Sequence, residues 1–79
     1  MSTAFVLMNT EPGSAGDVLK DLKKVEGVDE AFILYGVYDI IAKVSAKSMD
    51  HLNEIVTWHI RKIDKIRQTL TMTVIQESE

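Results

Sequence analysis

The sequence predicts an α+β domain in which four antiparallel strands form one sheet and two helices cover one face of it. Apolar or alternating segments indicate four strands, and apolar residues at helical spacing indicate two helices. Turn residues separate these segments. Along the chain the segments follow the order strand–helix–strand–strand–helix–strand. That order is typical of the ferredoxin-like, or split βαβ, arrangement.

The first strand and helix have clear limits in the sequence. Residues 3–9, TAFVLMN, are apolar almost throughout and predict a buried strand. In the turn that follows, Ser14 and Asp17 fit a capping box, while Pro12 is an alternative mark of a first helical turn. An apolar stripe then indicates an amphipathic helix, and Gly27 is expected to cap its C-terminal end. The residues of the stripe are Ala15, Val18, Leu19, Leu22 and Val25.

Two further strands follow as a hairpin. Residues 28–36 and 38–45 are predominantly apolar, and Gly36-Val37 separates them. Because glycine suits the first central position of a type II′ turn, the sequence predicts a two-residue hairpin. Asp39 is then an unexpected acid near the start of a strand otherwise rich in Ile, Ala and Val.

The second helix and the last strand complete the order. Ser48 is a good N-cap, and an apolar stripe at helical spacing follows it. The stripe consists of Leu52, Ile55, Val56, His59, Ile60 and Ile63. Its position predicts that His59 is a buried, neutral histidine. Residues 66–76 alternate Thr with Leu, Met and Val, which predicts a strand with two distinct faces.

Both faces of the predicted sheet are largely apolar, although the helices can cover only one of them. The second face would carry Phe5, Leu7, Phe32, Leu34 and Ile41. A small domain of 79 residues without cysteine cannot be stabilised by disulfides, so oligomerisation is the remaining remedy. We therefore expect two copies to pack sheet against sheet as a homodimer.

Composition excludes several functional classes. The net charge of −3 argues against a nucleic-acid groove, and two histidines without cysteine cannot complete a tetrahedral metal site. We find no nucleophile with a base and no phosphate-binding loop, so we expect neither catalysis nor a cofactor. No signal peptide or membrane span is evident, and a cytoplasmic protein is expected.

Motifs spread along the whole chain resemble one known family. GVYDIIAKV at 36–44, preceded by EGV at 26–28 and followed by IDKIRQTLTMTVI at 63–75, resembles the effector-binding (RAM) domain of the Lrp/AsnC transcription regulators. Family members usually place a helix-turn-helix domain before this module. Because the first predicted strand begins at residue 3, we expect a single domain over 1–79 without a helix-turn-helix and without direct nucleic-acid binding.

The resemblance implies a function and a set of binding residues. Domains of this family dimerise through their sheets, dimers often assemble into tetramers of dimers, and small effectors, typically amino acids, bind in clefts between dimers. By position in the motifs, the resemblance nominates Gly36, Tyr38 and Asp39, with Thr69 and Thr71 contributed by a neighbouring subunit. It also implies possible co-assembly with full-length regulators of the family.

Each nomination has an alternative interpretation. Asp39 can bind the ammonium group of an amino acid, or it can pair with Lys43 or accept hydrogen bonds from turn amides. Threonine is favoured in strands simply because it is β-branched. At the level of the whole protein, the alternatives are a small dimeric α+β barrel enzyme of monooxygenase or isomerase type, and an interaction module that binds no ligand.

Overall fold

The computed structural model describes residues 1–75 and contains the predicted elements in the predicted order. The strands are β1 (Ser2–Thr10), β2 (Val28–Ile33), β3 (Ile40–Ala46) and β4 (Ile66–Thr73). The helices are α1 (Ala15–Lys23) and α2 (Met49–Glu54), and α2 continues into a π-helix over Ile55–Ile60. The predicted last strand extends to residue 76, which lies outside the described residues.

The four strands form one antiparallel sheet in the order β2-β3-β1-β4. Alternate residues of β1 and β3 are fully buried beneath the helices, which confirms that both helices lie on one face. This face of the sheet carries Ala4, Val6, Met8, Ile40, Ala42 and Val44, all with 0% exposure. Val18 and Leu22 of α1 and Leu52 of α2 complete the centre of the core.

The predicted hairpin is right in register but wrong in its turn. Ile33 pairs with Ile40, as a two-residue turn at Gly36-Val37 would also require. Strand pairing nevertheless stops at that pair, and residues 34–39 form a longer loop. Positive φ occurs at Gly13 and Gly27 but not at Gly36, so the type II′ turn is absent.

The two helix starts differ although each has a serine at its N-cap. The Ser48 hydroxyl accepts a hydrogen bond from the His51 amide at 3.2 Å, as predicted. The Ser14 side chain makes no such hydrogen bond, so the predicted capping box is wrong. A type II turn precedes α1 instead, in which Ser14 N donates to Glu11 O at 3.0 Å and Gly13 has a φ of +79°.

Gly27 does not cap α1, which already ends at Lys23 with Lys24 as its C-cap. Gly27 directly precedes β2 and has a φ of +100°. Its carbonyl oxygen accepts a hydrogen bond from the Ser45 amide at 2.9 Å. A Cβ atom at Gly27 would lie 2.6 Å from Cδ1 of Ile55. Only glycine fits this close approach between the chain and the second helix.

The π-helix moves His59 away from its predicted position. Arg61 N donates to Val56 O at 2.9 Å, five residues back, so the helix is wider here than an α-helix. Ile55 and Ile60 are both buried, whereas His59 is exposed. The prediction of a buried His59 assumed a regular α-helical repeat and is therefore wrong.

Within residues 1–75, no helix combines the length and the apolar character required to cross a membrane.

Candidate ligand-binding site

The loop formed by residues 34–39 is fastened to the end of β1. Leu34 N donates to Asp39 O at 2.7 Å and closes the base of the loop, and Asp39 N donates to Met8 O at 2.9 Å. The side-chain amide of Asn9 donates to Val37 O at 2.9 Å. These contacts fix the GVYD segment against the central strand of the sheet.

Asp39 is half-buried and faces the last residue of β1. Its Oδ2 accepts from Thr10 N at 2.8 Å and lies 3.4 Å from Thr10 Oγ1. Within residues 1–75, its Oδ1 accepts no hydrogen bond, and no ion pair joins it to Lys43. One oxygen of Asp39 thus serves a main-chain amide, which belongs to the end of β1 rather than to the turn, while the other oxygen is free to accept from a further group.

A β-bulge places Arg67 beside this corner of the sheet. Asn9 pairs with Gln68 and Thr10 pairs with Ile66, so Arg67 is an extra residue on β4 without a partner on β1. A bulge bends the strand and redirects the side chains beside it. As a result, Ile66 packs against the core while Arg67 is exposed next to Gln68.

The bulge and the end of β1 form an open polar cleft of about 390 Å³, which we call the corner cleft. Its lining consists of Asn9, Thr10, Asp39, Arg67 and Gln68. Gln68 Nε2 donates to Asn9 Oδ1 at 3.0 Å, so Asn9 links β4 to the loop over 34–39. The corner cleft thus contains a carboxylate (Asp39), a guanidinium group (Arg67) and two side-chain amides. Hydrogen bonds fix the positions of the elements that carry them.

A second open cleft, of about 440 Å³, shares Thr10 and Asp39 with the first. The Pro12-Gly13 turn and the first residues of α1 form its remaining walls. The turn before α1 and the loop over 34–39 therefore meet at Asp39.

The five nominated residues do not all meet in one subunit. Asp39 lines both clefts, whereas Gly36 and Tyr38 lie in the adjoining loop and line neither. Thr69 and Thr71 pair with Met8 and Val6, which places them on the helix-covered face of β4. The role of all five nominated residues in ligand binding therefore stays a prediction.

Sequence reasoning missed Asn9, Thr10, Arg67 and Gln68 as lining residues. The predicted first strand ends at Asn9, whereas β1 extends through Thr10. A signal for the bulge was present, because three consecutive polar residues, Arg67, Gln68 and Thr69, interrupt the alternation of the last strand.

A third cleft, on the outer side of α1, is lined by charged residues of both signs. Lys65, which has a φ of +73°, donates through Nζ to Asp17 Oδ2 at 3.2 Å. This hydrogen bond and the charge of Asp17 raise the pKa of Lys65 above its ordinary value of 10.5. Any stabilisation is present below the ordinary pKa and lost as the pH rises through the raised one, and exposure to water keeps it small.

The face of the sheet opposite the helices is apolar and open. Phe32 is 55% exposed, Leu70 44% and Met72 47%. Phe5, Leu7 and Ile41 lie between them on the central strands and are half-buried. The space between helices and sheet, where the alternative enzyme would hold its substrate, is instead filled by the packed apolar core.

This architecture defines the protein as a ferredoxin-like α+β domain with polar clefts at one corner of its sheet. The Lrp/AsnC ligand binding domain family matches residues 3–79, and the chain belongs to that family. The resemblance found in the sequence is thereby confirmed.

The relatives include transcription regulators. An uncharacterised helix-turn-helix-type transcriptional regulator of Pyrococcus furiosus is 36% identical over 74 residues, which cover 90% of this chain and 49% of the regulator. The chain therefore spans about half the length of the curated regulators that it matches. A homocitrate synthase of Saccharolobus islandicus is 38% identical over 60 residues, but these cover only 13% of that enzyme.

Solved structures share the fold. The crystal structure of FFRP-DM1 is 40% identical with a TM-score of 0.90, and the match covers 95% of this chain and 100% of that chain. Escherichia coli AsnC is 28% identical with a TM-score of 0.89, and the match covers 96% of this chain and 52% of that chain.

Proposed function

We propose that this protein is a non-enzymatic regulatory module that binds a small metabolite, with amino acids as the first candidates, in a cytoplasmic homo-oligomer. Membership of a ligand-binding family supports this proposal. Similar domains form about half of DNA-binding regulators and a small part of a homocitrate synthase. A module that accompanies such different partners contributes a property that is neither DNA binding nor catalysis, and ligand sensing is such a property.

The open apolar face of the sheet is the observation that carries the proposal. Phe32, Leu70 and Met72 would remain about half exposed in a lone subunit. Burying about 400 Å² of this face contributes roughly 10 kcal/mol for each subunit, before association costs. A second copy of the chain offers the same apolar surface, so a symmetric dimer is the simplest cover.

The ligand is proposed to bind at the corner where Asp39 lies. One oxygen of Asp39 holds the Thr10 amide and the other is available to a ligand. Gly36 and Tyr38 of the same loop, and Thr69 and Thr71 of a neighbouring subunit, complete the proposed site. A site built from two subunits couples ligand binding to assembly.

That coupling gives the module its regulatory mechanism. A ligand that binds only the assembled form stabilises it by RT ln(1 + [L]/Kd) for each site. The concentration of the metabolite would then determine how much of the protein is assembled, and longer regulators of the family could join the same assembly.

Calorimetric titration with each proteinogenic L-amino acid, with light scattering on the same samples, tests the proposal. We expect saturable binding of at least one amino acid and a change in the distribution of assemblies. A folded protein that binds none of them would contradict the proposal and would favour a module that only assembles with other chains.

A further inference from the structure

We propose that the corner cleft recognises the two charged main-chain groups of a free α-amino acid, with Asp39 binding the ammonium group and Arg67 binding the carboxylate. This inference rests on the proposed function and adds two statements to it. Arg67 is a binding residue, and the ligand must carry both charges. A metabolite with only one of these groups should bind weakly.

The bulge in β4 is the first observation behind the inference. Regular alternation would put Arg67 on the face opposite Gln68, on the same side as the core. Because Arg67 is the extra residue of the bulge, Ile66 takes the inward position opposite Thr10. Arg67 is thereby released to the cleft that Asp39 lines.

The second observation is that the two charges share a cleft without neutralising each other. Within residues 1–75, Arg67 and Asp39 form no ion pair, although both line the same cleft of about 390 Å³. The described contacts use only Oδ2 of Asp39 and none of the donors of Arg67. A zwitterion placed between them would satisfy both groups at once.

The chemistry of the two side chains suits this ligand. A guanidinium group presents a planar pair of donors that matches a carboxylate, and a carboxylate accepts charge-assisted hydrogen bonds from an ammonium group. Asn9 and Gln68 line the same cleft and are hydrogen-bonded to each other at 3.0 Å. All five lining residues are polar or charged, which suits the polar main chain of an amino acid.

The experiment compares three forms of one ligand. The amino acid that binds the wild-type protein most tightly in calorimetric titration is followed by its carboxamide, which lacks the negative charge, and by its 2-oxo acid, which lacks the ammonium group. We expect the wild-type protein to prefer the amino acid to either analogue by about 10- to 100-fold, the range for one charge-assisted interaction.

Two variants should lose different halves of this preference. Arg67→Gln should bind the amino acid and its carboxamide equally but still reject the 2-oxo acid. Asp39→Asn should bind the amino acid and its 2-oxo acid equally but still reject the carboxamide, because it loses the negative charge that binds the ammonium group. Its side-chain oxygen can still accept from the Thr10 amide, so the corner should stay folded. Arg67→Lys should retain part of the preference for the carboxylate, since it keeps the charge but loses the planar pair of donors.

Lys47→Gln is the matched control, because it removes one exposed positive charge at the opposite end of β3. It should leave all three affinities unchanged. If the wild-type protein binds an amino acid and Arg67→Gln keeps the full preference over the carboxamide, the role of Arg67 is wrong and the proposed function stands. If the wild-type protein binds no amino acid, both are wrong.

Discussion

The structural role of Asp39 is compatible with the ligand-binding role proposed for it. The sequence alone left two interpretations, a ligand for an ammonium group and an acceptor for turn amides. Its Oδ2 accepts from Thr10 N at 2.8 Å, and its main-chain amide donates to Met8 O. The structural role occupies one oxygen only, so the two interpretations are compatible.

Substitutions of Asp39 separate these roles. Asp39→Asn should lose less than about 0.5 kcal/mol of unfolding free energy, because it retains an acceptor for the Thr10 amide. Asp39→Ala leaves that amide without its partner and should cost about 1 to 2 kcal/mol. Urea denaturation at one fixed protein concentration measures both values. Equal losses for the two variants would show that the hydrogen bond to Thr10 contributes little.

Two glycines should respond differently to alanine. Gly27→Ala places a Cβ atom 2.6 Å from Ile55 Cδ1 at a φ of +100°, and should cost about 2 to 3 kcal/mol. Gly36→Ala meets nothing within 4 Å and requires no positive φ, so it should stay within about 0.5 kcal/mol of the wild type. Thermal denaturation of both variants tests this ranking. A large loss at Gly36 would instead favour the type II′ turn.

At the scale of the elements, tertiary contacts decided what local patterns could not. The apolar pattern of the hairpin predicted the correct register. The loop over residues 34–39, however, is hydrogen-bonded to Met8 and Asn9 of β1 and does not form a tight turn. Those partners lie about a third of the chain away in sequence. Local turn propensity contains no information about them.

Asn9 is predicted to hold the loop in place. Asn9→Ala removes the donor to Val37 O and should speed hydrogen exchange of the Leu34 and Asp39 amides, which donate to Asp39 O and Met8 O, because the loop loses an anchor. Gln68→Ala removes the other hydrogen bond of Asn9 and should leave the loop amides nearly unchanged. Exchange followed by mass spectrometry or NMR distinguishes the two. Equal effects would mean that the loop depends on β4 rather than on Asn9.

The two helix starts provide a matched pair of substitutions. Ser48→Ala removes the acceptor for the His51 amide and should cost about 1 kcal/mol. Ser14→Ala removes no capping hydrogen bond and should cost less than about 0.5 kcal/mol. Urea denaturation provides the comparison, and a larger loss at Ser14 would contradict the observed turn before α1.

At the scale of the whole molecule, the sequence predicted the order of elements and the two faces of the sheet. Both follow from periodicity, which is local information. The corner cleft could not be predicted in the same way, because Asn9, Asp39 and Arg67 meet only through the strand order β3-β1-β4 and a bulge. The buried position assigned to His59 failed for a related reason, since a π-helix changes the repeat on which the prediction relied.

The open face offers a direct test of assembly by substitution. Leu70→Arg places a charge on the face opposite the helices and should convert the proposed dimer to a monomer. Thr73→Arg places the same charge on the other face of β4, where the side chain is already exposed, and should leave the dimer intact. Size-exclusion chromatography with light scattering reports the mass of each variant. Dissociation by both variants would not support a sheet-to-sheet interface.

Sedimentation of the wild-type protein across the micromolar range tests the central claim most directly, namely that a second copy of the chain covers the apolar face of the sheet. We expect dimers or larger even-numbered assemblies throughout this range, with larger assemblies favoured by a bound amino acid. A single monomeric species at every concentration would contradict the account, because the exposed face would then have no partner and no site between subunits could form.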